Sequence, residues 1–149
     1  MKKFSFRLQR VLQLREDVEH ERAQQLGEAL QEERAVQREC SERARHLERV
    51  SEQLAPPVGE PTNAGFLRVL GFTQQAAVRG LEAAEAAREA AGQQVDAEKA
   101  KYTEARVERK VVEKLKEVQR SAWETEASRE EQKHLDEVAL RRSGGHRTP

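Results

Sequence analysis

Several residue types are scarce in this chain of 149 residues, and each shortage argues against a class of protein. The only cysteine, Cys40, rules out an intrachain disulfide and fits a reducing compartment. Aromatic residues make up only 4 %, which is too little to fill a thick globular core. Because no apolar run reaches about 18 residues, we expect no membrane-spanning helix.

The motifs of catalysis and phosphate binding are also missing. There is no glycine-rich phosphate loop, so ATP hydrolysis by this chain is not expected. Glu131 and His134 have the Glu-x-x-His spacing of di-iron bundles, but the second pair and the two further carboxylates are lacking. We therefore expect no metal, no cofactor and no catalytic residue, and we interpret Cys40 as a packed small side chain.

The chain has no excess charge of either sign, because 27 Lys and Arg balance 27 Asp and Glu. This balance gives no sign of a nucleic-acid partner, and the mixed signs indicate solvated helix faces. The first fifteen residues are an exception, since they carry five basic side chains and no acidic one beside Phe4, Phe6, Leu8 and Leu12. Three interpretations stay open: a membrane-surface helix, a segment that docks into an acidic protein groove or pore, and the plain end of a coiled coil.

What the sequence does contain is strong helix formers with apolar residues at alternating spacings of three and four. In the first arm these residues are Leu26, Ala29, Val36, Cys40, Leu47, Val50 and Leu54. In the second arm they are Leu67, Leu70, Ala77, Leu81, Ala84, Ala91, Val95, Tyr102, Ala105 and Val112. After a shift of phase, Val111, Leu115, Val118 and Ala122 are expected to continue the second stripe.

Between the arms, the stretch Gln53–Leu67 holds three of the four prolines. A break of this kind predicts a turn, so the chain should form a long antiparallel two-helix coiled coil, an all-α hairpin. We predict one domain over 1–149, with a helix over about 4–54, a hinge over about 55–63, a helix over about 64–142 and a disordered tail over 143–149.

The register of this hairpin is expected to place residues whose numbers sum to about 121 at the same level. Glu33 would then lie near Arg88, and Arg22 near Glu98, as ion pairs within the seam. The second helix is the longer one, so from near Glu117 to about Arg142 it should extend beyond the first. Trp123, Leu135 and Val138 would be exposed there unless another protein covers them.

Two segments resemble the flagellar export protein FliJ family. They are the opening "FSFRLQRVLQLREDVEHERAQQLGEAL" and the later "RVERKVVEKLKEVQRSAWETEASREEQKHLDEVALRR". The resemblance implies a nonenzymatic component of the flagellar type III export apparatus, with a hairpin similar to the central stalk of rotary ATPases. Such a protein docks into the export ATPase hexamer and promotes its assembly and activity. It also links the ATPase to the export gate membrane protein and to substrate chaperones, at the cytoplasmic face of the inner membrane at the flagellar base.

The same resemblance implies which residues face the ATPase ring. Those near the joined termini are Phe4, Phe6, Arg7, Leu8, Arg10, Arg109, Lys110, Glu113 and Lys114. The tail motif adds Glu131, Gln132, Lys133, Leu135, Asp136 and Glu137. Trp123 is a further candidate, because an aromatic residue on a polar helix often anchors an interface. Two alternatives are an injectisome-type secretion stalk and a generic dimeric coiled-coil spacer.

Overall fold

A computed structural model of the chain describes residues 3–55, 59 and 63–144. Within these ranges the secondary structure consists of two α-helices, α1 (Gln9–Gln53) and α2 (Ala64–Gly144). The two helices pack against each other, which confirms the predicted all-α helical hairpin. The residues of both helices are mainly strong helix formers, so local preference and packing favour the same conformation.

The helix ends have identifiable causes. α1 begins at Gln9, later than the predicted start near residue 4. A turn precedes it, in which the Phe6 carbonyl accepts the Gln9 N–H at 3.1 Å. The Phe6 side chain is buried outside the helix. At the start of α2, the Asn63 side-chain oxygen accepts the Gly65 N–H at 2.9 Å, as an N-cap does.

Parts of the expected hinge and tail, namely residues 56–58, 60–62 and 145–149, lie outside the described residues. Gly59 has a φ of 102°, which is the left-handed region that glycine adopts without strain. The chain divides into two compact units. Unit 1 comprises Met1–Glu19 with Glu104–Pro149, and unit 2 is His20–Thr103. That the chain forms one domain stays a prediction.

Unit 2 is centred on a narrow apolar seam. Its buried apolar side chains are Cys40, Val50, Leu70, Ala77, Ala84 and Val95. The other predicted stripe residues of unit 2 are half-buried, with one exception. Leu67 is half exposed, so its assignment to the seam was wrong. The register explains this, because Leu67 comes level with positions past the end of α1 at Gln53.

The register of unit 2 follows from two close approaches at glycines of α2. The Arg43 guanidinium lies 3.7 Å from the position that a Cβ of Gly80 would occupy, and a Glu33 carboxylate oxygen lies 3.9 Å from that of Gly92. The paired numbers sum to 123 and 125, so the helices are antiparallel and displaced by a few residues from the predicted register.

Because of this displacement, both predicted ion pairs of the seam were wrong. Arg22 donates instead to the Gln25 side chain at 2.8 Å, and Glu98 pairs with Lys101 of its own helix at 3.0 Å. Arg88 forms no ion pair with any residue in the described ranges.

Unit 1 has a shorter apolar seam, with Phe6, Leu12 and Ala105 buried and Val112 half-buried. The predicted shift of the stripe was wrong. The residues of that stripe, Val111, Leu115, Val118 and Ala122, are all exposed. Since α2 continues as one α-helix, the side that faces α1 keeps the phase of Ala105 and Val112, and the second stripe lies outside that contact, on a neighbouring exposed side of α2.

The packed part of unit 1 reaches further along α2 than expected. The rings of Phe4 and Trp123 lie 6.0 Å apart at an angle of 52°, six positions beyond the predicted limit at Glu117. We call residues 124–143 the extension; every side chain in it is exposed except that of Ala127, which is half-buried. The predicted exposure of Leu135 and Val138 is confirmed.

Candidate partner-binding tip

All predicted site residues belong to unit 1. They lie on residues 4–10 and on residues 109–137 of α2, which we call the tip. The Phe4–Trp123 contact brings the first segment against the second, so these parts of the sequence meet although more than a hundred positions separate them. The structure thus unites the N-terminal group of candidates with Trp123, while the tail-motif residues lie on the extension.

The three aromatic candidates differ in what they can contact. Phe6 is only 6 % exposed, so its role is to fix the chain before α1. Phe4 is half-buried against Trp123, in the tilted geometry that aromatic pairs favour. Trp123 is 37 % exposed, so it packs within the unit and still offers surface to a partner.

The basic candidates fall into an accessible group and a constrained group. Arg7, Arg10 and Lys110 are exposed and form no ion pair with any residue that the structure describes. Lys114 pairs only with its neighbour Glu117, at 2.9 Å, and its side chain stays 74 % exposed. Hydrogen bonding to Glu117 raises the pKa of Lys114 above its ordinary value.

Arg109 belongs to the constrained group. It bonds Glu19 of α1, and at 2.6 Å it also bonds Glu113 of its own helix. The hydrogen bond that Arg109 donates to the Glu19 carboxylate is the main cause that raises the pKa of Arg109, with further support from the charge of Glu113. Arg109 thus links α2 to α1 through Glu19, and Glu113 supports Arg109 from its own helix.

A second ion pair across unit 1, Arg15 with Glu108, was missed at the level of sequence, as was Glu19. A signal for them exists. Glu108 follows the seam residue Ala105 by three positions, and Arg15 follows the buried Leu12 by three. Residues that flank a coiled-coil seam in this way commonly carry opposite charges on facing helices.

The tail-motif candidates all lie exposed on the extension. They are Glu131, Gln132, Lys133, Leu135, Asp136 and Glu137. Gln132 donates to Asp136 at 3.3 Å, a weak contact along one side of α2. Their side chains are therefore free to meet a partner along a helix that has no packing partner of its own in the described part of the chain.

No group of three or more His, Cys, Asp or Glu side chains in the described ranges could hold a metal ion. No helix in these ranges is both long enough and apolar enough to span a bilayer. The grooves of the tip are open helix surfaces, such as the one between Lys114, Val118 and Thr125. Open surfaces of this kind can bind another protein.

The fold and the tip define a helical-hairpin protein of the coiled-coil class, with unpartnered surfaces suited to protein contact. A family model described as Flagellar FliJ protein matches residues 4–148, and the chain belongs to this family. It is therefore a component of the flagellar protein-export apparatus. Searches of curated proteins and of solved structures found no match.

Proposed function

We propose that this chain is a nonenzymatic stalk of the flagellar type III export apparatus, whose tip docks into the ring of the export ATPase and promotes ring assembly and hydrolysis. One observation carries the proposal. Trp123 is packed against Phe4 and partly exposed, and exposed basic side chains such as Arg7 and Arg10 lie in the segment beside it. An aromatic anchor surrounded by accessible charges is a common form of protein-binding surface.

The proposed roles follow from exposure and pairing. Trp123 is the anchor, and Arg7, Arg10, Lys110 and Lys114 contact acidic groups of the ring. Leu8, which is also exposed, adds apolar contact. The tail-motif residues of the extension contribute a further row of polar contacts. Phe6, Arg109 and Glu113 hold the tip in shape without touching the ring.

The other partners implied by the family, the export gate protein and the substrate chaperones, require a different surface. Unit 2 offers one at the start of α2, where Phe66, Val69 and Phe72 are spaced by three and are 53 %, 63 % and 72 % exposed. We assign the gate or chaperone contact to this patch. With these partners, the protein would work at the cytoplasmic face of the inner membrane, at the base of the flagellum.

The test is a titration of the full chain into its cognate purified export ATPase, with hydrolysis and ring formation as separate readouts. Both should rise to saturation. Trp123→Ala should raise the concentration of the chain needed for half-maximal stimulation by at least about tenfold, as loss of an anchor residue does. The double change Arg7→Ala and Arg10→Ala should also raise this concentration. The increase should be larger at low salt, because the lost charge attraction is less screened there.

Phe72→Ala is the matched aromatic control, and Arg34→Ala with Arg45→Ala is the matched charge control, because these exposed residues belong to unit 2. Both controls should stimulate as the unchanged chain does. Absence of any effect on hydrolysis and on ring formation at saturating stoichiometry would reject the stalk function. It would favour the generic spacer instead.

A further inference from the structure

Unit 1 carries a second exposed apolar surface, and only one of its residues, Leu8, has a part in the proposed ring contact. On α2, Val111, Leu115 and Val118 are 64 %, 41 % and 57 % exposed. On the α1 side, Leu8, Val11 and Leu14 are exposed as well. We call these six residues the side face, and none of them is charged.

The Arg15–Glu108 ion pair shows that the two rows share one side of the unit. Residues three, four or seven positions apart lie on the same side of a helix. Val11 precedes Arg15 by four positions, and Leu115 follows Glu108 by seven. The bridge joins Arg15 to Glu108, so the rows that contain Val11 and Leu115 run next to each other.

The antiparallel register aligns these rows level by level. Arg15 with Glu108 and Phe4 with Trp123 give paired numbers that sum to 123 and 127. In this register Leu8 comes level with Val118, and Val11 with Leu115. Leu14 likewise comes level with Val111. The side face is therefore a continuous surface two helices wide, and contiguous apolar patches of this kind on soluble proteins commonly mark an interaction site.

We propose that the side face binds a second copy of this chain, related to the first by a two-fold axis parallel to the helices. Such an axis lays α1 of each copy on α2 of the other at the same level. Leu14 of one copy then meets Val111 of the other, and Val11 meets Leu115. Every neighbouring pair in the resulting four-helix arrangement is antiparallel, which is a common and stable bundle geometry.

Charge complementarity favours this occupant and this orientation. The side chains of Arg15 and Glu108 stay 40 % and 41 % exposed in the single chain, so each can accept a further partner. The two-fold axis brings Arg15 of each copy beside Glu108 of the other. In the opposite orientation, with α1 stacked on α1 around Val11, Arg15 of one copy would face Arg7 of the other, which like-charge repulsion disfavours.

The size of the side face predicts a weak dimer. Six partly exposed Leu and Val side chains offer on the order of 500 Å² per copy, which is near the lower limit for specific interfaces. Association should therefore depend on concentration, and the chain should be a monomer when dilute. The inference does not rest on the proposed function, because it concerns the free chain alone.

The first test is sedimentation velocity of the purified full chain from about 1 to about 500 µM, a range that brackets a weak association constant. We expect the mass to rise from 17.0 kDa toward twice that value. Leu14→Lys combined with Val111→Lys should keep the chain monomeric throughout. Since both side chains are well exposed, circular dichroism should show unchanged helicity.

Leu67→Lys is the matched control, because Leu67 is exposed to a similar degree as Leu14 but lies in unit 2. It should dimerise as the unchanged chain does. Three results would overturn the proposal: a monomer at the highest concentration, a dimer that survives the double change, or a dimer that Leu67→Lys disrupts as strongly as the double change does.

Cross-linking tests the orientation. In a Cys40→Ala background, Leu14→Cys and Val111→Cys chains are prepared separately and oxidised alone or mixed. Formation of the disulfide removes two electrons and two protons, which an added oxidant such as oxygen with a copper catalyst accepts. Only the mixture should give a covalent dimer efficiently. If either chain alone cross-linked as efficiently as the mixture, the proposed two-fold axis parallel to the helices would be wrong.

Discussion

Units 1 and 2 are built from the same two helices but are held together differently. In unit 2 the seam is made of small and medium apolar side chains such as Ala77, Ala84 and Val95. Long side chains of α1 also lie beside glycines of α2. In unit 1 the buried apolar set is smaller, two ion pairs join the helices, and an aromatic contact joins the segment before α1 to α2. A long coiled coil can thus change its interior chemistry along its length without changing its fold.

The difference in chemistry suggests a difference in use. An apolar seam of small residues is insensitive to salt and needs no partner, because its surface is already covered. Ion pairs at the surface are weakened by salt, and exposed apolar residues gain from being covered. Unit 1, which carries the predicted binding residues, is therefore the unit with the smaller set of buried apolar side chains.

The largest effect is expected from removing the most buried apolar side chain of unit 1. Leu12 is only 4 % exposed, so Leu12→Ala should lower the free energy of unfolding by about 2 to 4 kcal/mol. Hydrogen exchange should accelerate at Gln9–Glu19 and at 104–116 and stay unchanged in unit 2. Leu14→Ala, at an exposed position of the same helix, is the control and should have little effect. A uniform acceleration over both units would show that they unfold together and would break the comparison.

The next effect concerns Glu98, the one charged side chain that is buried among the described residues of unit 2. Glu98 is 7 % exposed, and its second carboxylate oxygen has no hydrogen-bond partner in the described part of the chain. Buried charges often cost more than they contribute, so Glu98→Leu should raise the free energy of unfolding by about 1 to 2 kcal/mol. Urea denaturation measures it, and Glu104→Leu, at an exposed position, serves as control. A loss of stability would mean that Glu98 is an organising contact of the seam.

A smaller effect separates the ion pairs of unit 1 from those of the extension. Double-mutant cycles should give a coupling free energy for Glu19 with Arg109 that exceeds that of Arg120 with Glu124. The first pair joins two helices at largely covered positions, and the second is an exposed pair on one helix, worth about 0.3 to 0.5 kcal/mol. High salt should reduce both couplings. Equal couplings would refute the claim that ion pairs hold unit 1 together.

The smallest effect tests whether the glycines of unit 2 serve close packing. Gly27 lies inside α1, and an added Cβ there would meet nothing within 4 Å. Gly27→Ala should therefore raise the free energy of unfolding by about 0.5 to 1 kcal/mol through helix preference alone. Gly80→Ala should gain at least as much, because its Cβ would make an ordinary van der Waals contact with Arg43 at 3.7 Å. A smaller gain at Gly80 than at Gly27 in thermal denaturation would show that the two helices approach too closely there for an added side chain.

Much of the hairpin could be predicted from the sequence, because the spacing of apolar residues fixes which side of a helix is buried. The stripe from Leu70 to Val112 illustrates this. The register could not be predicted as closely, since a shift of a few residues leaves the pattern of small side chains almost unchanged. The false pairs of Glu33 with Arg88 and of Arg22 with Glu98 came from that ambiguity.

The candidate site shows a different limit. The segments that form the tip could be named, but periodicity could not tell whether Val111, Leu115 and Val118 face α1 or another molecule, because both surfaces have the same spacing. Nor could composition show that Arg109 is held by Glu19 while Arg10 is free, since this depends on which charges come level across the seam.

The placement of Trp123 makes the chain its own optical reporter. It is the only tryptophan among the 149 residues, so with excitation at the red edge the emission comes from one indole, which packs against Phe4 at a tilted angle and is partly open to water. A partner that covers this indole would change its emission wavelength and its quenching by iodide. Binding at other surfaces of the molecule would leave this emission nearly unchanged. The measurement requires no added label.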